Sequence, residues 1–332
     1  MIFDPNQTEF ISEYQRVVWM YGTHIVPLEI SLANIDDPEI IDGCTQVFNC
    51  TMEILEDMYN NPDDYCQERP RWYTNDYFAW LITGKKPIKH HNDNFKQYLR
   101  RIHQFGFTYD EENKMLSNDR YPRFVEYFEW LLQLAKDKKK NLGGYTDRRD
   151  FRLLNEKINL SFNDILYSLS DINGEYAVEL HNYAVSKGFK IEKKDPYTFR
   201  YLYKKLYSLE IHNNPFKIVI PYRLDNGKYV PNQFERFLAV VEAEPDCDEL
   251  FRYIQGGAYV CNACGGKKKA NQRCGRWVDI HGARRLISVC RPAISRCRRG
   301  LHNTAYTNYD IKMLKRMIDI RIVQIDDYLE DN

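Results

Sequence analysis

Five of the nine cysteines in this 332-residue chain fall between residues 261 and 297, in the spacing C-x2-C-x9-C-x15-C-x6-C. The segment carries few large apolar side chains, so hydrocarbon burial cannot organise it and another centre must. Its first pair reads Cys261-Asn262-Ala263-Cys264 and is followed by Gly265-Gly266. Two thiolates two residues apart can grip one ion from a tight knuckle, and the glycines free backbone N–H groups to turn toward sulfur. Further along, Trp277 to Ile280 and Arg285 to Val289 read as strands around His281-Gly282-Ala283-Arg284, which predicts a hairpin centred near Gly282. In that register Val278 faces Leu286, Asp279 faces Arg285 and Cys274 faces Cys290. The knuckle and the facing thiols then bring Cys261, Cys264, Cys274 and Cys290 around one point, the tetrahedral arrangement of a structural Zn2+ site. A turn shorter by one residue shifts the register, and Cys297, His281 or His302 then stands in for Cys274.

Other uses of these cysteines fit less well. A redox pair needs its CxxC between a strand and a helix of a βαβ unit, whereas glycines and lysines follow Cys264. A catalytic zinc keeps an open position and usually takes His or carboxylate ligands. Disulfides are not expected, because the chain reads as cytoplasmic: no stretch approaches the ~18 consecutive apolar residues that span a bilayer, and MIFDPNQTEF lacks a basic and then apolar leader.

Charge singles out the same segment. Lys+Arg and Asp+Glu are 47 each, so the chain is formally neutral, but the charges are segregated. Residues 1–70 hold fourteen Asp/Glu against Arg16 and Arg69. Residues 261–300 hold Lys267, Lys268, Lys269, Arg273, Arg276, Arg284, Arg285, Arg291, Arg296, Arg298 and Arg299 against Asp279 alone. Either the basic segment meets DNA or RNA, or it docks on the acidic residues 1–70 of the same chain or of a second copy.

Apolar periodicity places the remaining elements. Ile40, Ile41, Cys44, Val47, Phe48, Met52, Ile54, Leu55 and Met58 recur at helical spacing and predict a helix from Pro38 to about Asn60. Further helices are expected over Thr74–Thr83, Asn92–Phe105, Tyr121–Lys139, Ser161–Leu169 and Gly174–Lys187. Phe199 to Ile211 alternate as one strand with Phe199, Tyr201, Tyr203, Tyr207, Leu209 and Ile211 on one face. That stripe reads as a core face, with a base-stacking platform as the alternative. Phe216 to Tyr222 is a second strand, and helices follow at Gln233–Glu244 and Cys247–Ile254. The last helix, Tyr309 to Leu329, starts from Thr307 with Asp310 at capping-box spacing.

The fold class is therefore α+β: a mainly helical domain over 1–155, then an α+β domain over 156–332 that carries a zinc-stabilised β-hairpin within 258–300 and a long closing helix near 308–330. The order of FKIVIPYRL, FERFLAVVEAEPDCDELFRYIQ, the CNACGG knuckle and LKRMIDIRIVQID resembles a group of bacterial proteins to which no activity is assigned, over the C-terminal half of the chain. CNACGG itself is similar to zinc-ribbon knuckles, and this resemblance implies a structural metal without implying a function.

The chain has no GxGxxG, P-loop, HExxH or GxSxG. A non-enzymatic role is expected, with a nucleic-acid-binding module built on Lys267, Lys268, Lys269, Arg273, Arg276, Arg284, Arg285, Arg298 and Arg299. A ligand-binding or protein-interaction module stapled by zinc is the alternative from another class, and an enzyme with a site assembled from distant residues is a third. Elemental analysis of protein never exposed to chelator should find one zinc per chain; less than about a tenth of an ion would overturn the metal site.

Overall fold

The computed structural model describes residues 26–61, 99–113, 115–138, 150–155, 159–167, 169, 171–213, 216–222, 233–258, 276–287, 293–296 and 306–331. It divides the chain into two compact units, with the second beginning at Asp171. No described helix is long and apolar enough to cross a membrane. Helices and antiparallel sheets are both present, so the chain is α+β.

The first unit is built on α1 (Leu28–Leu32) and α2 (Pro38–Asn60). Asp37 starts α2: its carboxylate accepts from the backbone N–H of Glu39 at 2.9 Å and of Ile40 at 3.4 Å, and Pro38 takes a first-turn position where its missing N–H costs nothing. The expected stripe is buried at Cys44, Val47, Phe48, Ile54 and Leu55. After a helical turn at 99–102, Gly106 at φ 86° leads into β1 (Phe107–Asp110), which pairs antiparallel with β2 (Met115–Asn118). Helical periodicity gives no sign of this hairpin, since four-residue strands are too short to display alternation.

Helix α3 (Phe124–Lys138) begins three residues later than the spacing predicts. The Asn118 side chain accepts from the backbone N–H of Arg120 and Tyr121 at 2.9 and 2.7 Å, and this side-chain turn holds Pro122 outside the helix. Phe124 packs edge-on to Phe107 at 5.0 Å, and Gly43 admits the Tyr127 ring where a Cβ would overlap it. Ser161 and Asp164 form a capping box on α4 (Phe162–Leu166). The predicted helix over Thr74–Thr83 lies outside the described residues.

The second unit is a five-stranded antiparallel sheet in the order β3 (Lys190–Asp195), β4 (Thr198–Tyr203), β5 (Leu206–Asn213), β6 (Phe216–Pro221), β9 (Ala293–Arg296). Its helices are α5 (Asp171–Ser186), α6 (Gln233–Glu242), α7 (Cys247–Gly257) and α8 (Asn308–Glu330), and β7 (Arg276–Ile280) pairs with β8 (Ala283–Ile287) in a separate ribbon.

The single strand expected from Phe199 to Ile211 is two strands. The chain reverses at Lys204-Lys205, both at positive φ (46° and 68°), so that Tyr203 pairs with Leu206. Lysines are unusual in a two-residue turn of this kind, which favours Asn and Gly, so no local signal marked it. Pairing of two alternating strands overrides local preference here, and the Lys204 ammonium meets Asp326 at 2.8 Å. Phe199, Tyr201, Leu209 and Ile211 are buried, so this stripe is a core face. Against it lie α5, whose His181 Nδ1 is 2.7 Å from the Tyr201 hydroxyl, and α8.

Helix α8 starts with the predicted capping box of Thr307 and Asp310. Of the apolar residues at helical spacing, Ile311, Leu314, Ile318 and Ile325 are buried, Ile322 is half-buried and Leu329 is exposed, while Met313, Met317, Ile320, Arg321 and Gln324 are buried as well. The fully buried Arg321 donates through Nη2 to the Tyr207 carbonyl (2.9 Å) and through Nη1 to Gln324 Oε1 (2.5 Å). Gln324 Nε2 in turn donates to the carbonyls of Tyr222 (3.2 Å) and Gln233 (3.1 Å).

In the first unit the buried pair Arg152–Asp150, with side chains 4% and 0% exposed and Nε to Oδ1 at 2.8 Å, is the most vulnerable contact. Arg152→Ala removes the bidentate partner of an enclosed carboxylate and should destabilise the unit by about 3–5 kcal/mol, as read by denaturant unfolding. A loss below about 1 kcal/mol would show that other donors hold Asp150.

Candidate nucleic-acid interface

The β7–β8 ribbon turns through two residues. His281 and Gly282 have φ of 49° and 75°, the left-handed pair that matches the twist of a tight hairpin, and Asp279 Oδ1 accepts from the Gly282 N–H at 2.7 Å. The turn is one residue shorter than the expected centre at Gly282 requires. Trp277 therefore pairs with Leu286, Val278 with Arg285, and Asp279 with Arg284. This corrects the register predicted from sequence, in which Val278 faces Leu286 and Asp279 faces Arg285. Asp279 still faces an arginine, though a different one, and Cys274 and Cys290 lie outside the described residues.

One face of the ribbon is anchored. Val278, Ile280 and Ile287 are buried, Gln255 of α7 donates to the Ile280 carbonyl at 2.6 Å, and the His281 ring lies against Phe251 at 5.1 Å with Nε2 3.3 Å from an Asp248 carboxylate oxygen. His281, one of the alternative zinc ligands, is thus engaged with α7. The other face is open only in part: Leu286, opposite Trp277, is buried, whereas Trp277 is 56% exposed, Asp279 and Arg284 are exposed beside it, and the Arg284 guanidinium sits 5.4 Å from the centre of the indole ring. Arg285 is exposed as well.

Of the predicted site residues, Arg276, Arg284, Arg285 and His281 fall in this ribbon. Cys261, Cys264, Cys274, Cys290, Cys297, His302, Lys267, Lys268, Lys269, Arg273, Arg298 and Arg299 lie outside the described residues, as does much of the acidic region 1–70. Among the described residues no cluster of His, Cys, Asp or Glu could hold a metal ion.

Sequence reasoning missed a second charged assembly, on the sheet face opposite α5 and α8. Glu210, with its side chain 4% exposed, accepts from Lys194 Nζ (2.9 Å) and Arg200 Nε (3.3 Å), and its Oε2 lies 2.7 Å from His212 Nε2. Burial alone would raise the Glu210 pKa. The hydrogen bonds and charges of His212 and Lys194 outweigh it and hold the carboxyl at about 2. The cross-strand pairs Arg200–Glu210 and Thr198–His212 assemble the cluster, so only knowledge of the β4–β5 register could have found it. His212 Nδ1 is 3.2 Å from the Thr198 hydroxyl, giving a hydroxyl–imidazole–carboxylate series. Thr198 is itself buried, so this hydroxyl is not presented to a substrate, and the series acts as an internal ion network.

Compared with protein families, with curated proteins and with solved structures, the chain matches none.

The depressed Glu210 pKa fixes a pH dependence. With about 2 in the folded state against 4.5 for an ordinary glutamate, its stabilisation is complete above about pH 5 and disappears as pH falls toward 2. Wild-type protein should lose about 3 kcal/mol more than Glu210→Gln over that window in urea titrations. Equal acid losses in the two proteins would show that the carboxylate is not held by its cations.

Proposed function

We propose that the chain is a non-enzymatic nucleic-acid-binding protein whose contact surface is the basic segment 261–300, organised by a structural zinc on Cys261, Cys264 and two further ligands. Cys290 and Cys274 are the first choices for these, with Cys297, His281 and His302 as alternates. The observation that carries the reading is a pair of exposed arginines beside an exposed indole on an anchored ribbon. Lys187, Lys194, Arg200, Lys204, Lys312, Lys315 and Arg316 each have a carboxylate oxygen within 4.0 Å. Arg284 and Arg285 are exposed side by side in sequence, and neither makes an ion pair with any described residue. Cations left unneutralised on an anchored ribbon suit phosphates, which supply the negative charge from outside the chain.

The −12 charge of residues 1–70 supports a second reading, in which the basic segment docks on that region in the same chain or in a second copy. Fluorescence polarisation of labelled DNA and RNA oligonucleotides across a salt series separates the two. Wild-type protein should bind with a log–log salt dependence, and Arg284→Ala/Arg285→Ala should reduce the slope by roughly 0.7–0.9 for each phosphate that the variant no longer neutralises. Absence of binding to any oligonucleotide at ~50 mM salt, where screening is weak, would remove the nucleic-acid reading. A lowered stability or a dissociated oligomer in the double variant would then favour docking on residues 1–70.

A further inference from the structure

Resting on that reading, we infer that Trp277 with Arg284 stacked on it forms a base-stacking platform, which makes single-stranded nucleic acid, rather than duplex, the ligand of the β7–β8 ribbon. Trp277 has the most exposed large aromatic side chain among the described residues, at 56%. It is not exposed by default of packing. Its neighbours Val278 and Ile280 are buried against the body of the unit, so strand alternation aims the indole outward from an anchored backbone.

The turn at His281-Gly282, the Gln255 bond to the Ile280 carbonyl and the Phe251–His281 contact fix that backbone, so little freedom is lost when the ring engages a ligand. Arg284 covers one face of the indole. A stacked guanidinium keeps its edge N–H groups free to reach a phosphate, and the 56% exposure of Trp277 leaves indole surface for a base. Stacking needs a base whose own face is uncovered. In a duplex those faces are occupied by neighbouring pairs, and a ribbon presenting one ring could reach only the backbone. Arg284 and Arg285, both exposed on the ribbon, supply charge complementarity for the same strand.

The test uses the full chain, titrated against a labelled unstructured oligothymidylate and against the same strand annealed to oligoadenylate. Wild-type protein should prefer the single strand. Trp277→Ala should weaken single-strand binding by roughly 5- to 150-fold and narrow the preference over duplex, while Trp277→Phe, which keeps a π-face, should retain most of it. Trp277→Phe also serves if the alanine variant folds poorly. Wild-type affinity equal for the two forms, or single-strand binding unaffected by Trp277→Ala, would overturn stacking and leave a salt-dependent phosphate surface standing. Absence of binding to both probes at ~50 mM salt would overturn the nucleic-acid reading itself.

Discussion

One buried arginine ties the second unit together. Arg321 sits in the middle of α8 with no exposed surface, and it reaches the sheet by donating to the Tyr207 carbonyl, while its neighbour Gln324 reaches the carbonyls of Tyr222 and Gln233. Those carbonyls lie at the start of β5, just beyond β6 and at the first residue of α6. One turn of α8 thus donates to backbone carbonyls from three elements, which a purely apolar helix could not do. Burial works against the arginine's charge and lowers its pKa. A guanidinium in such a place is tolerated because its planar fork donates to both the Tyr207 carbonyl and Gln324 Oε1, and losing it would take from the buried Tyr207 carbonyl its side-chain donor and from Gln324 the partner that orients it.

The position of the β7–β8 ribbon follows from this frame. Strand β6 pairs with β9 on its outer side, so the chain between α7 and α8 must return to the sheet after leaving the ribbon. The ribbon itself leans on α7 through Ile280, His281 and Gln255. Its buried side chains are small in number, and its open face carries Trp277, Asp279 and Arg284. A two-stranded ribbon is marginal when isolated. Docking on α7 and the proposed zinc would supply the support it lacks.

The sequence made some of this plain and hid the rest for physical reasons. Helix α2 and the capping box of α8 were legible because a long apolar period and a Thr-x-x-Asp start are local signals. The Lys204-Lys205 turn was not, because its residues are poor formers of the conformation they adopt and tertiary pairing imposes it. Strand β3 reads KIEKKD, an edge strand whose charges guard it against stray pairing and erase its alternation. The position of the β7–β8 hairpin was legible but its register was not: a loop of two residues instead of three exchanges Arg285 for Arg284 opposite Asp279. Exposure of Trp277 depends on that pairing and on the α7 contact, so composition alone could name the arginines and not the ring.

The neutrality of the whole chain bears on how such a surface would work. At physiological ionic strength the screening length is about 8 Å, so a ligand beyond that distance meets a formally neutral chain, and long-range steering by net charge is weak. Within that distance the proposed basic surface would attract any phosphate backbone without regard to sequence or strandedness. Discrimination must then come from contacts that are short-ranged and not electrostatic. On the described surface of the ribbon the indole of Trp277 offers such a contact, and Arg284 joins it to the charge. Under the proposed reading, attraction and selectivity would meet in Trp277 and Arg284, brought together diagonally across the strands by the two-residue turn, because a three-residue turn would set Arg285, rather than Arg284, opposite Asp279.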